Sequence, residues 1–179
     1  MHDQRSVKTE AGFTLMESLV ALTILAFGLL ALAQVFALGM RHMSTSTYDA
    51  IAREKAREAV ESVHTARDTR IITWSQLRNV SNGGIFTDAE TTLRLAGSDG
   101  LMNTADDPTT LEEQLTPGPD GILGNTDDVH VPLINFWRTV AITDVTGEPS
   151  LRQLRVTIRY RVGGENRTYV LTTYVSSYA

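Results

Sequence analysis

Apolar residues run almost unbroken from residue 13 to residue 40, with one carboxylate, Glu17, near the start; beyond residue 40 the pattern changes twice. The uncharged run 19–40 holds 22 residues. As a helix rising about 1.5 Å per residue, it covers the roughly 30 Å hydrocarbon core of a bilayer. A membrane-spanning helix is predicted over 13–40. Past Met40 the apolar positions thin to a stripe. Tyr48, Ile51, Ala52, Ala56, Ala59, Val60 and Val63 recur at helical spacing, with Arg53, Glu54, Lys55, Arg57, Glu58 and Glu61 on the other faces. No proline interrupts residues 13–65. The spacing therefore predicts one helix that changes solvent halfway and lays its second half on another layer.

Period two takes over near the C-terminus. Leu154, Val156, Ile158, Tyr160 and Val162 alternate with Arg155, Thr157, Arg159 and Arg161, which marks a strand with one buried face. Gly163-Gly164-Glu165-Asn166 reads as a turn, and 167–176, rich in Thr, Tyr and Val, pairs antiparallel with the first run. A third strand is predicted at 138–145, before the turn Thr146-Gly147-Glu148-Pro149. These elements give a small antiparallel sheet of three or four strands under the amphipathic half-helix, an α+β architecture. Residues 71–95 are a mixed connection anchored by Trp74 and Leu77, with a turn at Ser81-Asn82-Gly83-Gly84. Residues 97–131, dominated by Gly, Asp, Asn, Thr and Pro, read as a loop too long for an ordinary connection, which calls for something to order it.

Charge and composition narrow the function. At 179 residues the chain has room for one soluble domain beside the anchor, and its formal net charge of -5, with arginines scattered among acids, lacks the basic footprint of nucleic-acid binding. Cysteine is absent, which excludes disulfides and thiolate chemistry. His2, His42, His64 and His130 show no metal-ligand spacing, and no phosphate-binding glycine loop, HExxH or nucleophile elbow occurs, so no enzyme is predicted.

Two features carry chemistry. Glu17 is the first, since a carboxylate inside an apolar helix costs on the order of 2.5 to 3.5 kcal/mol and calls for a partner. A cut after Gly12 would supply one in the new α-amino group of Phe13. Gly12-Phe13-Thr14-Leu15-Met16-Glu17, followed by the apolar run, resembles the class III signal of type IV pilins and type II secretion pseudopilins, a glycine followed by F, T, L, any residue and E. The resemblance implies cleavage between Gly12 and Phe13 by the prepilin peptidase and N-methylation of Phe13. It also implies that Glu17 docks the subunit into a filament by pairing with a neighbouring N-terminus. Residues 17–33 further resemble the minor pilins of the PilV-like group. Many pilins clamp their C-terminal region with a cysteine pair, which is missing in this chain.

The second feature is an internal repeat. Residues 97–107, GSDGLMNTADD, recur at 118–128 as GPDGILGNTDD. Each copy supplies a turn glycine, an apolar pair, and the carboxylate and amide oxygens that Ca²⁺ takes in sixes to eights. The copies resemble the repeats of secreted calcium-binding loops. The candidate ligands are Asp99, Asn103, Asp106, Asp107, Asp120, Asn125, Asp127 and Asp128.

The resulting expectation is a pilin-like chain with a leader at 1–12, a transmembrane or filament-core helix at 13–40, and an amphipathic half-helix with a globular head at 41–179. Its implied role is that of a minor pilin of a type IV pilus, with calcium in the head. The implied partners are other pilin subunits, the prepilin peptidase, the assembly machinery of the inner membrane and membrane lipid, with no nucleic acid. The precursor is expected in the inner membrane with its head in the periplasm, and the mature subunit on the cell surface. The alternatives are a type II secretion pseudopilin and a single-pass anchored calcium-binding or adhesive module.

Overall fold

The computed structural model describes residues 14–178, with 41–44 described by their backbone alone. Among the described residues one α-helix, α1 (Leu15–Asp68), and a short 3-10 helix (Val80–Asn82) precede six strands: β1 (Thr91–Thr92), β2 (Glu113–Thr116), β3 (Val129–Pro132), β4 (Phe136–Val145), β5 (Glu148–Val162) and β6 (Glu165–Ser176). Two compact units result, Met1–Met43 and Ser44–Ala179.

The first unit holds the apolar half of α1. Its 18-residue window of highest mean hydropathy reaches 2.4, and it is the one helix among the described residues long and apolar enough to cross a membrane. Thr14 starts the helix. Its hydroxyl accepts the backbone N–H of Glu17 at 3.2 Å, as an N-cap does, and relieves one of the four donors the first turn leaves unbonded.

The second unit is the head. Its main sheet has the order β1-β4-β5-β6, antiparallel throughout, and β2 and β3 form a separate two-stranded ribbon. The predicted stripe of α1 is the face that packs. Ile51, Ala52, Ala56, Ala59, Val63 and Ala66 are buried against Val140, Ile142, Leu154, Val156 and Ile158 of the inner sheet face. Four of these six helix positions are alanine, so the bulk of this layer comes mainly from the sheet side. The α+β expectation holds, with four strands, the fourth being the two-residue β1.

The turns are tighter than the sequence suggests. Gly163 and Gly164 alone join β5 to β6, with φ of 58° and 87°, and Glu165 already belongs to β6. Those angles suit a two-residue hairpin turn matched to strand twist, and a side chain at either position would be strained. Glu148 and Pro149 likewise belong to β5, leaving Thr146-Gly147 as the turn. Residues 97–131 are also more regular than the loop expected of them. The β2–β3 ribbon pairs Glu113 with Pro132 through Thr116 with Val129, and so closes the second loop at its base.

A buried ionic cluster ties three parts of this unit together. Arg138 on β4 is fully buried; its Nη1 donates to Glu112 Oε1 at 2.8 Å and its Nε to Asn103 Oδ1 at 3.2 Å. The other oxygen of Glu112 lies 3.1 Å from Lys55 Nζ on α1, which also pairs with Glu58 at 2.8 Å. Burial acts against the charge of Lys55, but the Glu58 hydrogen bond and the Glu112 charge together hold its pKa above the ordinary lysine value. Helix, sheet and the segment before β2 thus meet at one carboxylate.

Candidate functional sites: the N-terminal signal and the twin loops

Gly12 and Phe13, the predicted cleavage and methylation positions, lie outside the described residues. Glu17 is described. It sits in the first turn of α1 with an exposed side chain. At that position a carboxylate faces the positive end of the helix dipole, a favourable placement before any partner arrives. Thr14-Leu15-Met16-Glu17 matches the Ser/Thr-x-x-Glu signature of a helix start, and the pattern alone identifies the cap.

The two repeats fold alike. Gly100 N donates to Gly97 O at 3.1 Å, and Gly121 N to Gly118 O at 3.0 Å. Asp99 Oδ1 accepts the N–H of Leu101 at 2.8 Å, as Asp120 Oδ1 accepts that of Ile122 at 2.8 Å. Asp107 Oδ2 accepts from Asn103 N at 2.7 Å, and Asp128 Oδ2 from Gly124 N at 2.6 Å. Gly100 and Gly121 have φ of 71° and 73°, while Asn103 and Gly124, which also correspond, have 68° and 95°. Gly97 and Gly118 leave room for the aspartate opposite: a Cβ at Gly97 would collide with the Asp106 carboxylate, and one at Gly118 with the backbone oxygen and the carboxylate of Asp127. The repeat in sequence is therefore a repeat in structure, and its glycines are there for backbone angle and clearance.

The candidate ligands separate into two groups. The side chain of Asn103 is fully buried, accepting from Thr91 Oγ1 and Arg138 Nε and donating to Thr87 Oγ1 and the Arg138 carbonyl. It is thus engaged in the core. Asp106 is exposed; the Thr104 hydroxyl, followed by Ser98 and backbone N–H groups, lowers its pKa from 3.8. Asp107 shifts the other way, raised by burial against the opposing pull of its hydrogen bonds and of Arg138. In the second loop Asn125 Nδ2 donates to Asp120 Oδ2 at 2.6 Å, and Asn125 Oδ1 accepts from Asp127 N at 3.2 Å. Asp128 Oδ1 is buried without a hydrogen-bond partner. Among the described residues no three of Asp, Glu or His converge closely enough to hold a metal ion by themselves.

Of the histidines, His130 is exposed with Nδ1 2.9 Å from Glu113 Oε2, and His64 is half-buried on α1. Trp74 and Trp137 are each half-buried under an arginine, Arg152 over Trp74 at 4.1 Å and Arg159 over Trp137 at 3.9 Å. Arg159 also pairs with Glu90 at 2.6 Å, so this part of the outer sheet face is ordered.

Comparison with known proteins adds one finding at the N-terminus. Residues 7–33 match the family model of the prokaryotic N-terminal methylation motif. No curated protein matches the chain. No solved structure matches it. The matched segment contains Gly12, Phe13, the Thr14 cap and Glu17, and extends into the apolar half of α1. That motif is the class III prepilin signal, and the match supports the resemblance of this N-terminal segment to those of type IV pilins and pseudopilins.

Proposed function

We propose that this chain is a minor pilin of a type IV pilus, made as a membrane-anchored precursor with its head in the periplasm. It is cut between Gly12 and Phe13, N-methylated at Phe13 and assembled into a surface filament as a structural subunit without catalysis. The methylation motif over 7–33 is the observation that carries this reading. Exposed Glu17, in the first helical turn, is available to the charged N-terminus of a neighbouring helix. Mass spectrometry of the mature N-terminus tests the cleavage: a chain starting at methylated Phe13 is expected, and an uncut chain would instead leave a plain single-pass anchored module. Glu17→Ala tests assembly. The cleaved variant is expected to disappear from sheared filaments, and retention at wild-type level would remove the docking role.

Calcium belongs to the same proposal. Asp120, Asn125, Asp127 and Asp128 would hold it in the second loop, and Asp99, Asp106 and Asp107 in the first. The unpartnered Asp128 oxygen supports the second loop, whereas the engagement of Asn103 in the core leaves the first a donor short. The calcium-like repeat also favours a second reading, a type II secretion pseudopilin. Deletion of the gene separates the two: loss of surface filaments with intact protein export supports the pilus, and the reverse supports the secretion system.

A further inference from the structure

The first loop shows what the apolar pair of this turn does when a surface is at hand: Leu101 is fully buried and Met102 packs on the core. The second loop has the same backbone but leaves Ile122 63% and Leu123 57% exposed. The loop that carries that pair, residues 118–128, contains three Asp and no Lys, Arg or His. Asp120, Asp127 and Asp128 flank the exposed pair itself.

A pocket of complementary chemistry lies elsewhere on the same head, where α1 ends. It encloses about 470 Å³, with Ile72, Trp74 and Leu77 as apolar lining, Arg67 and Arg70 supplying positive charge, and Ser177 in the wall. Arg67 already pairs with Asp68 at 2.5 Å, but Arg70 is exposed and has no ionic partner among the described residues. An apolar floor edged by guanidinium groups suits an apolar tip ringed by carboxylates.

We propose that the second loop of one copy inserts Ile122 and Leu123 into this pocket of a second copy, with Arg70 facing the carboxylates of the loop. The contact joins two different surfaces and is therefore heterologous, so each head offers one tip and one pocket and copies add in a row instead of closing as a pair. It is a contact between heads, does not depend on the pilus reading, and concerns the loop without calcium, since Asp120, Asp127 and Asp128 cannot serve both a bound cation and Arg70 in full.

The absence of cysteine makes the test clean. Full-length Leu123→Cys and Ser177→Cys copies, both altered at exposed positions, are produced together in membranes and oxidised. A disulfide-linked dimer is expected from the mixture and from neither variant alone. Arg70→Glu in the Ser177→Cys copy is expected to lower its yield at least several-fold with an unchanged melting temperature. Ile122→Cys with Tyr178→Cys is a second pair and is expected to behave in the same way. Absence of mixed dimer from both pairs, equal self-linking of Leu123→Cys copies, linking to another protein instead, or indifference to Arg70→Glu overturns the proposal.

Discussion

The two loops have one backbone and opposite surroundings. Leu101 in the first is fully buried, while its counterpart Ile122 in the second stands in solvent. Asn103 in the first reaches the buried Arg138, where the second has only Gly124. The comparison teaches that this turn closes on its own hydrogen bonds, since both copies form without a shared environment. What each copy does is then decided by the side chains it points outward. One fastens the head and the other is left free to meet something else.

The sharpest way to break the contrast is through Arg138. Arg138→Ala leaves Glu112 buried with only Lys55 and removes one of the hydrogen bonds that hold Asn103, and a loss of about 3–5 kcal/mol is expected. Denaturant unfolding of the full chain in detergent measures it. Leu101→Ala should cost about 2–5 kcal/mol, the range for a buried leucine, and Ile122→Ala should stay within about 0.5 kcal/mol of wild type. Equal effects would erase the distinction between the loops. Gly97→Ala forces a methyl into the Asp106 carboxylate and Gly118→Ala forces one into the Asp127 backbone oxygen and carboxylate, an overpacking that typically costs about 1–3 kcal/mol. Only the first should register in unfolding of the whole head, while the second opens its loop to proteolysis.

Calcium sharpens the contrast at a smaller scale. At a free concentration ten times the dissociation constant the ion would stabilise by about 1.4 kcal/mol, and Asp128→Asn should remove most of it. A melting temperature unchanged by chelator would end the calcium proposal. Acid should have the smallest effect. The lowered pKa values of Asp106, Asp144 and Glu90 mean that their contributions are complete above the ordinary carboxylate range of about 4 and disappear as pH falls through the folded values. Asp107, raised by burial, works the other way and becomes less unfavourable to folding once protonated. The melting temperature is expected to fall below about pH 4, and Asp106→Asn should make that decline shallower.

The elements that were legible in the sequence are those set by strict periodicity. The stripe from Ile51 to Val63 and the alternation from Leu154 to Val162 each identify their buried face, because helix and strand each return side chains to one side at a fixed interval. Composition misled at 97–131, where Gly and Asp hide the short β2–β3 ribbon. All four residues of β3 are exposed, so no alternation marks it. Of the candidate site, the Gly12 to Glu17 motif was legible because its residues are adjacent. The cluster of Lys55, Asn103, Glu112 and Arg138 was not, since its members come from separate parts of the chain and nothing local distinguishes a buried arginine from those on the sheet surface.

The alanines of α1 also bear on the order of folding. The helix meets strands that begin about eighty residues later in the chain, so its inner face must wait while β4, β5 and β6 assemble as local hairpins. A face in which Ala52, Ala56, Ala59 and Ala66 outnumber Ile51 and Val63 exposes less oily surface during that wait than a leucine face would, and offers fewer footholds for misassociation. The same alanines that permit close packing in the finished head let a tethered chain stay unassociated until its last strand arrives.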